Sequence, residues 1–135
     1  MLKINHIALS VSDLERSISF YEKILGFKCT DRLGNKTNQP QICILNKDNV
    51  TLELFQFNTY EPLPEYRRKL NSDLHTIGTK HVAIEVDNIE ETFKKFIDLE
   101  VKLITDINSI NKKFKYFFIK DPDGIFIEIT QQMGA

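Results

Sequence analysis

Apolar and polar positions along the chain follow first a strand pattern and then a helix pattern, and this order occurs twice. The stretch INHIALSV, residues 4–11, alternates between apolar and polar side chains as a half-buried strand does. Apolar side chains then recur at three- and four-residue intervals, which predicts a helix over about 13–25. Its core-facing stripe consists of Leu14, Ile18, Tyr21 and Leu25, and Gly26 follows as a C-terminal cap.

Polar residues mark the boundaries of the elements in this first half. Ser12 and Glu15 are spaced as in a capping box, which predicts the start of the helix. Three strands are predicted after it, at about 27–33, 41–46 and 50–57, with turn sequences GNKTNQP and NKDN between them. The first half is therefore predicted to be a βαβββ unit.

The second half repeats this order at a fixed distance along the chain. His81 follows His6, and Glu128 follows Glu53, in both cases by 75 positions. The same shift places HVAIEV on HIALSV and DPDGIFIEIT on NKDNVTLELF, so turns coincide with turns and strands with strands. We therefore predict that the chain is a duplicated unit.

The elements of the second half are predicted from the same patterns. Asp87 and Glu90 repeat the capping box, and strands are expected at about 101–106, 114–120 and 125–130. The second apolar stripe consists of Ile89, Phe93, Phe96 and Ile97.

The whole chain, 1–135, is predicted to be one α+β domain of two tandem βαβββ modules. Module 1 covers about 1–57 and module 2 about 79–135, and a linker of about 58–78 joins them. Two prolines interrupt the strand pattern in the linker, where a short helix is expected at about 64–71. The two modules are expected to form a curved mixed sheet around a cleft.

Four polar side chains are expected on the sheet face that the helices leave free. Because residues two apart in a strand share a face, His6 and His81 lie opposite the apolar residues that pack on the helices. Glu53 and Glu128 are placed in the same way, and a carboxylate near an aromatic residue such as Phe55 is costly unless it is paired or ligated. Two imidazoles and two carboxylates suit one divalent transition ion, namely Zn, Ni, Co, Mn or Fe, better than calcium. We therefore predict a metal-binding cleft.

Composition narrows the class of partner. A formal net charge of −1 argues against a general binder of nucleic acid or of membrane surfaces and favours a small-molecule substrate. The apolar runs are too short to cross a bilayer and no signal peptide precedes them, so a cytoplasmic location is expected. Cys29 and Cys43 match no zinc-site spacing and are expected to be buried thiols rather than a bridge.

Three stretches, HIALSVSDLERSISFYEKILGF, GTKHVAIEVDNIEET and DPDGIFIEI, resemble the vicinal oxygen chelate superfamily of glyoxalases, bleomycin resistance proteins and extradiol dioxygenases. The resemblance implies paired βαβββ modules whose metal ligands lie on the first and last strands of each module. These positions hold His6, Glu53, His81 and Glu128. The complete set is similar to that of glyoxalase I, and Glu53 is the discriminating residue because related enzymes lack a carboxylate there.

Resemblance to glyoxalase I implies a lyase or isomerase reaction by proton transfer beside a carbonyl, with an enediolate stabilised by the metal. A thiol hemithioacetal of a 2-oxoaldehyde is one such substrate. Glu128 is implied as the general base and Glu53 as its catalytic partner. Two positions that contact glutathione in small glyoxalase I enzymes hold Ser10 and Phe57 here, which leaves the thiol open.

Two other functions stay open at this point. The same scaffold could carry fosfomycin-type thiol transfer or an extradiol dioxygenase reaction, or it could bind an antibiotic without catalysis, with aromatic residues lining the cleft. These aromatic residues are Phe55, Phe57 and Tyr116. The basic side chains that could hold an anionic substrate are Arg32, Arg67, Arg68, Lys112 and Lys113, although solvated loops are the better prediction for each. A homodimer is expected because sheet edges of so small a protein favour being covered.

Overall fold

The computed structural model describes residues 1–134, so Ala135, the last residue of the predicted domain, lies outside the described residues. The chain divides into two compact units, Met1–Pro62 (unit 1) and Leu63–Ala135 (unit 2). Unit 1 contains β1 (Ile7–Ser10), α1 (Leu14–Lys23), β2 (Lys28–Leu33), β3 (Gln41–Lys47) and β4 (Val50–Gln56).

Unit 2 begins within the predicted linker and continues with the second module. The linker forms a 3₁₀ turn (Glu65–Arg67) and the short helix α2 (Leu70–His75). The module consists of β5 (Val82–Glu85), α3 (Ile89–Asp98), β6 (Asn108–Ile110), β7 (Phe114–Lys120) and β8 (Phe126–Gln132). Within the described residues, none of these helices has both the length and the apolar character needed to span a bilayer.

Each unit contains one four-stranded mixed sheet with the same topology. The strand order is β1-β4-β3-β2 in unit 1 and β5-β8-β7-β6 in unit 2. In both, the first strand runs parallel to the last, and the remaining neighbours are antiparallel. The predicted α+β class and the duplicated βαβββ unit are therefore confirmed.

The helix-facing sides of the sheets form the cores. In unit 1 the wholly buried sheet residues are Cys43, Leu45, Leu52 and Leu54, and α1 covers its core with Leu14, Ile18 and Tyr21. In unit 2 the corresponding residues are Phe117, Ile119, Ile127 and Ile129, with Ile89 and Phe96 of α3. The second helical stripe is narrower than expected, because Ile97 is 53% exposed.

The predicted capping boxes are wrong by one residue. The N-cap of α1 is Asp13, whose carboxylate accepts a hydrogen bond from Arg16 N at 3.1 Å. The N-cap of α3 is Asn88, whose amide oxygen accepts from Glu91 N, also at 3.1 Å. Both residues have extended backbone, with φ near −140°, so each is the last residue before its helix.

The strand predicted at 101–106 is also displaced. The regular partner of β7 is β6, at Asn108–Ile110, and it begins after this stretch. The segment 102–104 nevertheless pairs with the other end of β7 through an isolated bridge between Leu103 and Ile119. Two backbone hydrogen bonds support it, from Lys120 N to Lys102 O at 3.1 Å and from Ile104 N to Phe118 O at 2.8 Å.

The expectation of unbridged thiols is contradicted, because the structure joins Cys29 and Cys43 as a disulfide between the neighbouring strands β2 and β3. Their Cα atoms are 6.3 Å apart, within the range that a disulfide spans. A register shift between Cys29 and Asp31 lies at this point of the ladder. Sequence spacing alone did not indicate the pair, because pairing of β2 with β3 brings the two residues together.

Candidate functional site

The first pair of predicted site residues lies at one edge of the unit 1 sheet. His6 comes just before β1, and Glu53 is in the middle of β4, the strand that pairs with β1. The Nε2 atom of His6 is 3.4 Å from Oε2 of Glu53. Ala8 is directly opposite Glu53 in the parallel register, and its small side chain leaves the carboxylate free to turn toward the histidine.

The second pair repeats this arrangement in unit 2. His81 comes just before β5, Glu128 is in the middle of β8, and Ala83 is opposite Glu128. The Nε2 atom of His81 is 3.0 Å from Oε2 of Glu128. This pair is less exposed than the first, with side-chain exposures of 20% and 22% against 41% and 24% for His6 and Glu53.

The second nitrogen of each imidazole has a different environment. Nδ1 of His6 lies 2.7 Å from Oδ1 of Asn5, so in the neutral ring Nδ1 carries the proton and Nε2 presents its lone pair. Nδ1 of His81 is buried, and within residues 1–134 it has no hydrogen-bond partner. The ring of His81 is held instead by an edge-to-face contact with Phe118, with centroids 4.9 Å apart.

The donor atoms of each pair are spaced as two ligands of one small divalent ion would be. Metal–ligand bonds of about 2.1 Å place adjacent donors about 3.0 Å apart in an octahedron and about 3.4 Å apart in a tetrahedron. The observed separations are 3.0 Å and 3.4 Å, and in both pairs the nearest atoms are an imidazole nitrogen and a carboxylate oxygen. The residues therefore fit a divalent metal ion. Among residues 1–134, no group of three or more His, Cys, Asp or Glu side chains is close enough to hold one.

Apolar and aromatic side chains surround the carboxylates on this face. In unit 1, Ile44 is the cross-strand partner of Glu53, and the rings of Phe55 and Phe57 make an edge-to-face contact at 5.8 Å. In unit 2, Phe118 is the cross-strand partner of Glu128. The ring of Tyr116 contacts Phe118 at 6.0 Å. Both carboxylates therefore lie on largely apolar surfaces, as the alternating pattern predicts.

Most of the basic side chains proposed from the sequence have other roles. Arg32 forms a two-pronged ion pair with Glu15, which lowers the pKa of that carboxyl and raises the pKa of the guanidinium. Arg67 donates from Nε to the buried carboxylate of Asp73 at 2.9 Å.

Lys112 and Lys113 belong to the turn between β6 and β7, next to Gln132 at the end of β8. Because Gln132 is four residues beyond Glu128, this turn is roughly 13 Å along the strand from the carboxylate. Arg68 donates from Nε to Leu63 O at 2.9 Å and is otherwise an exposed side chain.

Sequence reasoning missed two basic residues on the same sheet face as Glu128. Lys120 is the cross-strand partner of Phe126, and Lys102 is opposite Lys120 on the next segment. Lys120 could have been found, because in β7 it alternates with Phe118. Lys102 lies in the strand predicted at 101–106, but its register opposite Lys120 could not be found from the sequence pattern.

Comparison with known proteins agrees with this architecture. The family model of the Glyoxalase/Bleomycin resistance protein/Dioxygenase superfamily matches residues 3–129. The chain belongs to this superfamily. This assignment confirms the resemblance found in the sequence, and it covers both His–Glu pairs.

Three characterised members of this superfamily align over most of the chain. The lactoylglutathione lyase of Escherichia coli O157:H7 is 28% identical over 137 residues, which are 99% of this chain and 96% of the lyase. The mitochondrial methylmalonyl-CoA epimerase of Mus musculus is 26% identical over 133 residues, 96% of this chain and 72% of the epimerase. The metallothiol transferase FosB of Lysinibacillus sphaericus is 29% identical over 123 residues, 90% of this chain and 76% of the transferase.

A solved structure shows the same fold. The glyoxalase family protein from Enterococcus faecalis superposes with a TM-score of 0.78 at 22% identity, covering 95% of this chain and 96% of that protein. The superfamily relatives named above include a lyase, an epimerase and a transferase, so the fold is one on which several reactions are carried out.

Proposed function

We propose that this chain is a divalent-metal-dependent lyase or isomerase of glyoxalase I type, which transfers a proton beside a carbonyl group of a small molecule. The observation that carries the proposal is the repeated pair: in both units an imidazole Nε2 faces a carboxylate Oε2 at 3.0–3.4 Å, on the sheet face opposite the core. Two structural pairs of this kind on apolar faces would be costly without a cation to compensate the carboxylates.

The proposed ligands of the ion are His6, Glu53, His81 and Glu128, with the two pairs supplied either by one chain or by two chains of a dimer. A zinc, nickel, cobalt, manganese or iron ion bound there would supply an electrophile that polarises substrate oxygens and makes the adjacent C–H bond more acidic. Asn5 would orient the ring of His6 through Nδ1, and Phe118 would orient the ring of His81 by packing.

The proton is moved by this chain's carboxylates. Glu128 is the proposed general base, since it is the less exposed carboxylate of the better formed pair and lies beside Phe118, in surroundings that exclude much of the water. Glu53 is its proposed partner, returning a proton to the neighbouring carbon or oxygen of the substrate.

The relatives support this class of reaction. The epimerase, by its name, inverts a carbon of methylmalonyl-CoA that lies beside a thioester carbonyl, and such an inversion requires removal of a proton. The lactoylglutathione lyase, by its name, acts on a lactoyl thioester of glutathione, whose acyl group has a carbon next to the thioester carbonyl. Ser10 and Phe57 stand at the positions expected to contact glutathione, so we propose a hemithioacetal of a different thiol as the substrate.

Thiol transfer is the second candidate function, and the metallothiol transferase relative is the observation in its favour. Glu53 favours the lyase or isomerase over thiol transfer. In the family that the sequence resembles, fosfomycin-modifying enzymes have no metal ligand at this position. The two candidates differ in products: an isomerised 2-hydroxy thioester in one case and a thiol adduct of an epoxide in the other.

Metal analysis of protein purified without chelator, followed by assays on methylglyoxal hemithioacetals of several thiols, tests the proposal. We expect about one divalent ion per site and isomerase activity that disappears on chelation and returns with added metal. Full activity after exhaustive chelation would reject the proposal. Turnover of fosfomycin without turnover of any hemithioacetal would favour thiol transfer instead.

We also propose that the active form is a homodimer. Large apolar side chains remain exposed in the isolated chain, among them Leu33 and Phe57 in unit 1 and Ile110 in unit 2. Light scattering of the purified protein at several concentrations tests this, and a monomer at every concentration would contradict it.

A further inference from the structure

Three cations gather beside the Glu128 half of the proposed site. Lys120 lies in β7 directly opposite Lys102, because the bridge between Leu103 and Ile119 fixes the register of the two segments. Nζ of Lys120 donates to Arg68 O at 2.7 Å, which places Arg68 next to it. Like charges directly opposite each other on neighbouring strands are destabilising.

The local surroundings do not compensate these positive charges. Burial of Lys120, with Lys102 and Arg68 as its charged neighbours, lowers the pKa of the Lys120 ammonium. Within residues 1–134, the ion pairs of unit 2 involve Arg67, Lys80, His81 and Lys115 rather than these three cations. The cluster therefore has a net positive charge that a bound anion would relieve.

The equivalent row of unit 1 holds one cation rather than two, because Lys28 is opposite Asn46 where unit 2 has Lys102 opposite Lys120. Next to His6, the sheet row of unit 1 continues with Thr51 and Asn46. The Thr51 hydroxyl donates to Asn46 Oδ1 at 2.7 Å, and Asn46 Nδ2 donates to Thr30 Oγ1 at 2.8 Å. At the two positions next to the histidine, unit 1 thus has neutral side chains that bond each other, whereas unit 2 has Phe126 and Lys120.

Lys120 is held in place on the sheet face. Its Nζ lies 5.2 Å from the centroid of Phe126, a buried ring, and one of its three N–H groups donates to Arg68 O. The remaining N–H groups are available to a ligand. Phe126 is the neighbour of His81 in the parallel register, so Lys120 lies two strand spacings, about 10 Å, from His81.

We propose that Lys120, Lys102 and Arg68 form an anion-binding subsite that recognises a carboxylate or phosphate group of the substrate, about 10 Å from the His81–Glu128 pair. As a statement about the substrate, the inference rests on the proposed function, because it assumes that the reacting carbonyl lies at His81 and Glu128. The binding of an oxyanion does not depend on that assumption. The subsite also supplies a charged group for substrate recognition that Ser10 and Phe57 do not.

Titration of the metal-stripped protein with inorganic phosphate, and separately with acetate, tests the subsite directly by NMR or calorimetry. We expect saturable binding that becomes about tenfold weaker in Lys120→Gln, the loss of one charge-assisted hydrogen bond. Lys94→Gln, which removes the same charge from the exposed face of α3, should change the affinity less than about twofold. Tighter binding of phosphate than of acetate would identify a phosphate site. Similar affinities for the two anions would identify a general oxyanion site. Equal affinities in all three proteins, or no saturable binding of either anion, would overturn the proposal.

A second measurement separates this inference from the proposed function. Hemithioacetals of methylglyoxal with mercaptoacetate and with 2-mercaptoethanol differ in charge at the thiol end. Lys120→Gln should raise KM for the anionic adduct about tenfold and leave KM for the neutral adduct and both kcat values nearly unchanged. Phosphate binding without turnover of either adduct would leave the subsite standing and reject the proposed function. Turnover that is insensitive to both the adduct charge and Lys120→Gln would support the proposed function and reject the subsite.

Discussion

Oε2 of Glu128 lies 3.0 Å from Nε2 of His81, although 47 residues separate the two in the chain. The parallel pairing of β5 with β8 brings them together, and Ala83 opposite Glu128 leaves the room. The same relationship joins Glu53 and His6 in the other unit, at 3.4 Å. The same local packing therefore occurs in both halves of the duplication, and in each half it brings together two donor atoms spaced as ligands of a divalent ion.

Replacing Glu53 should weaken metal binding as strongly as replacing Glu128. Glu53→Gln preserves the size of the side chain but removes the anionic ligand. Because substitutions next to a ligand already cost about 10- to 100-fold in metal affinity, loss of a ligand should cost at least about 100-fold. Titration of the metal-stripped protein with cobalt, followed by its absorption spectrum, measures this affinity.

Glu85→Gln is the matched control for that experiment. Glu85 lies in β5, on the same face as Ala83 and Glu128, and it is exposed. It should leave cobalt binding unchanged. If Glu53→Gln bound cobalt as tightly as the Glu85 variant, Glu53 would not be a ligand. The residue would then no longer distinguish this chain from related enzymes that lack a carboxylate at this position.

Much of the fold and the site could be predicted because both depend on periodicity. Alternation in β4 and β8 buries Leu52, Leu54 and Ile127, and this fixes the opposite face for Glu53 and Glu128. The constant spacing of the two histidines and two glutamates then identifies the pairs. The identity of the family follows from the same residues.

The features that could not be predicted depend on pairing between segments. The disulfide between Cys29 and Cys43 requires knowledge of how β2 lies against β3. The position of Lys102 opposite Lys120 depends on the register of an isolated bridge, which the strand predicted at 101–106 does not specify. The proposed subsite could therefore be found only in the structure, whereas the proposed metal ligands could be selected from the sequence.

The true N-caps give a prediction about stability. Asp13→Ala and Asn88→Ala should each lower the free energy of unfolding by about 1 kcal/mol, because each removes an acceptor for an N–H group at a helix start. Ser12→Ala and Asp87→Ala, at the positions first expected to cap, should cost less. Urea denaturation of the four variants measures the difference, and an equal cost within each neighbouring pair would contradict the assignment.

A side-chain amide from the last strand of each unit also bonds the start of its helix. Gln131 Oε1 accepts from Ile89 N at 2.9 Å, and Gln56 Oε1 accepts from Leu14 N at 2.7 Å. Gln131→Ala should therefore destabilise the protein by about 1 kcal/mol, since it leaves an N–H group at a largely buried helix start without its acceptor. Gln132→Ala, at the exposed neighbouring position, is the control in urea denaturation and should have almost no effect. Equal midpoints for the two variants would show that the bond adds nothing to stability.

Asp73 is the buried charge on which the linker depends. It is 1% exposed, and its carboxylate accepts from Arg67 Nε at 2.9 Å and lies 3.7 Å from Lys80 Nζ. Asp73→Ala should destabilise the protein by about 3–5 kcal/mol, because it leaves two cations without their partner. Chemical denaturation measures the loss, with the exposed Asp106→Ala as control. A cost below about 1 kcal/mol would mean that the pair behaves as a surface ion pair.

Lys120, together with Lys102 and Arg68, should make the free energy of unfolding depend on pH. Burial, together with the charges of Lys102 and Arg68, lowers the pKa of Lys120 from its ordinary value of 10.5. Between the folded and unfolded pKa values the unfolded chain binds more protons, so this group makes stability rise with pH in that window. We therefore compare the free energy of unfolding of wild type with that of Lys120→Met. The wild-type value minus the variant value should increase from about pH 7 to about pH 10. Urea denaturation across this range measures the difference. For the control Lys94→Met, at an exposed position, the difference should not change with pH. A flat difference for Lys120→Met as well would mean that the ammonium is as well solvated as a surface lysine, and the electrostatic cost that an anion is proposed to relieve would not be there.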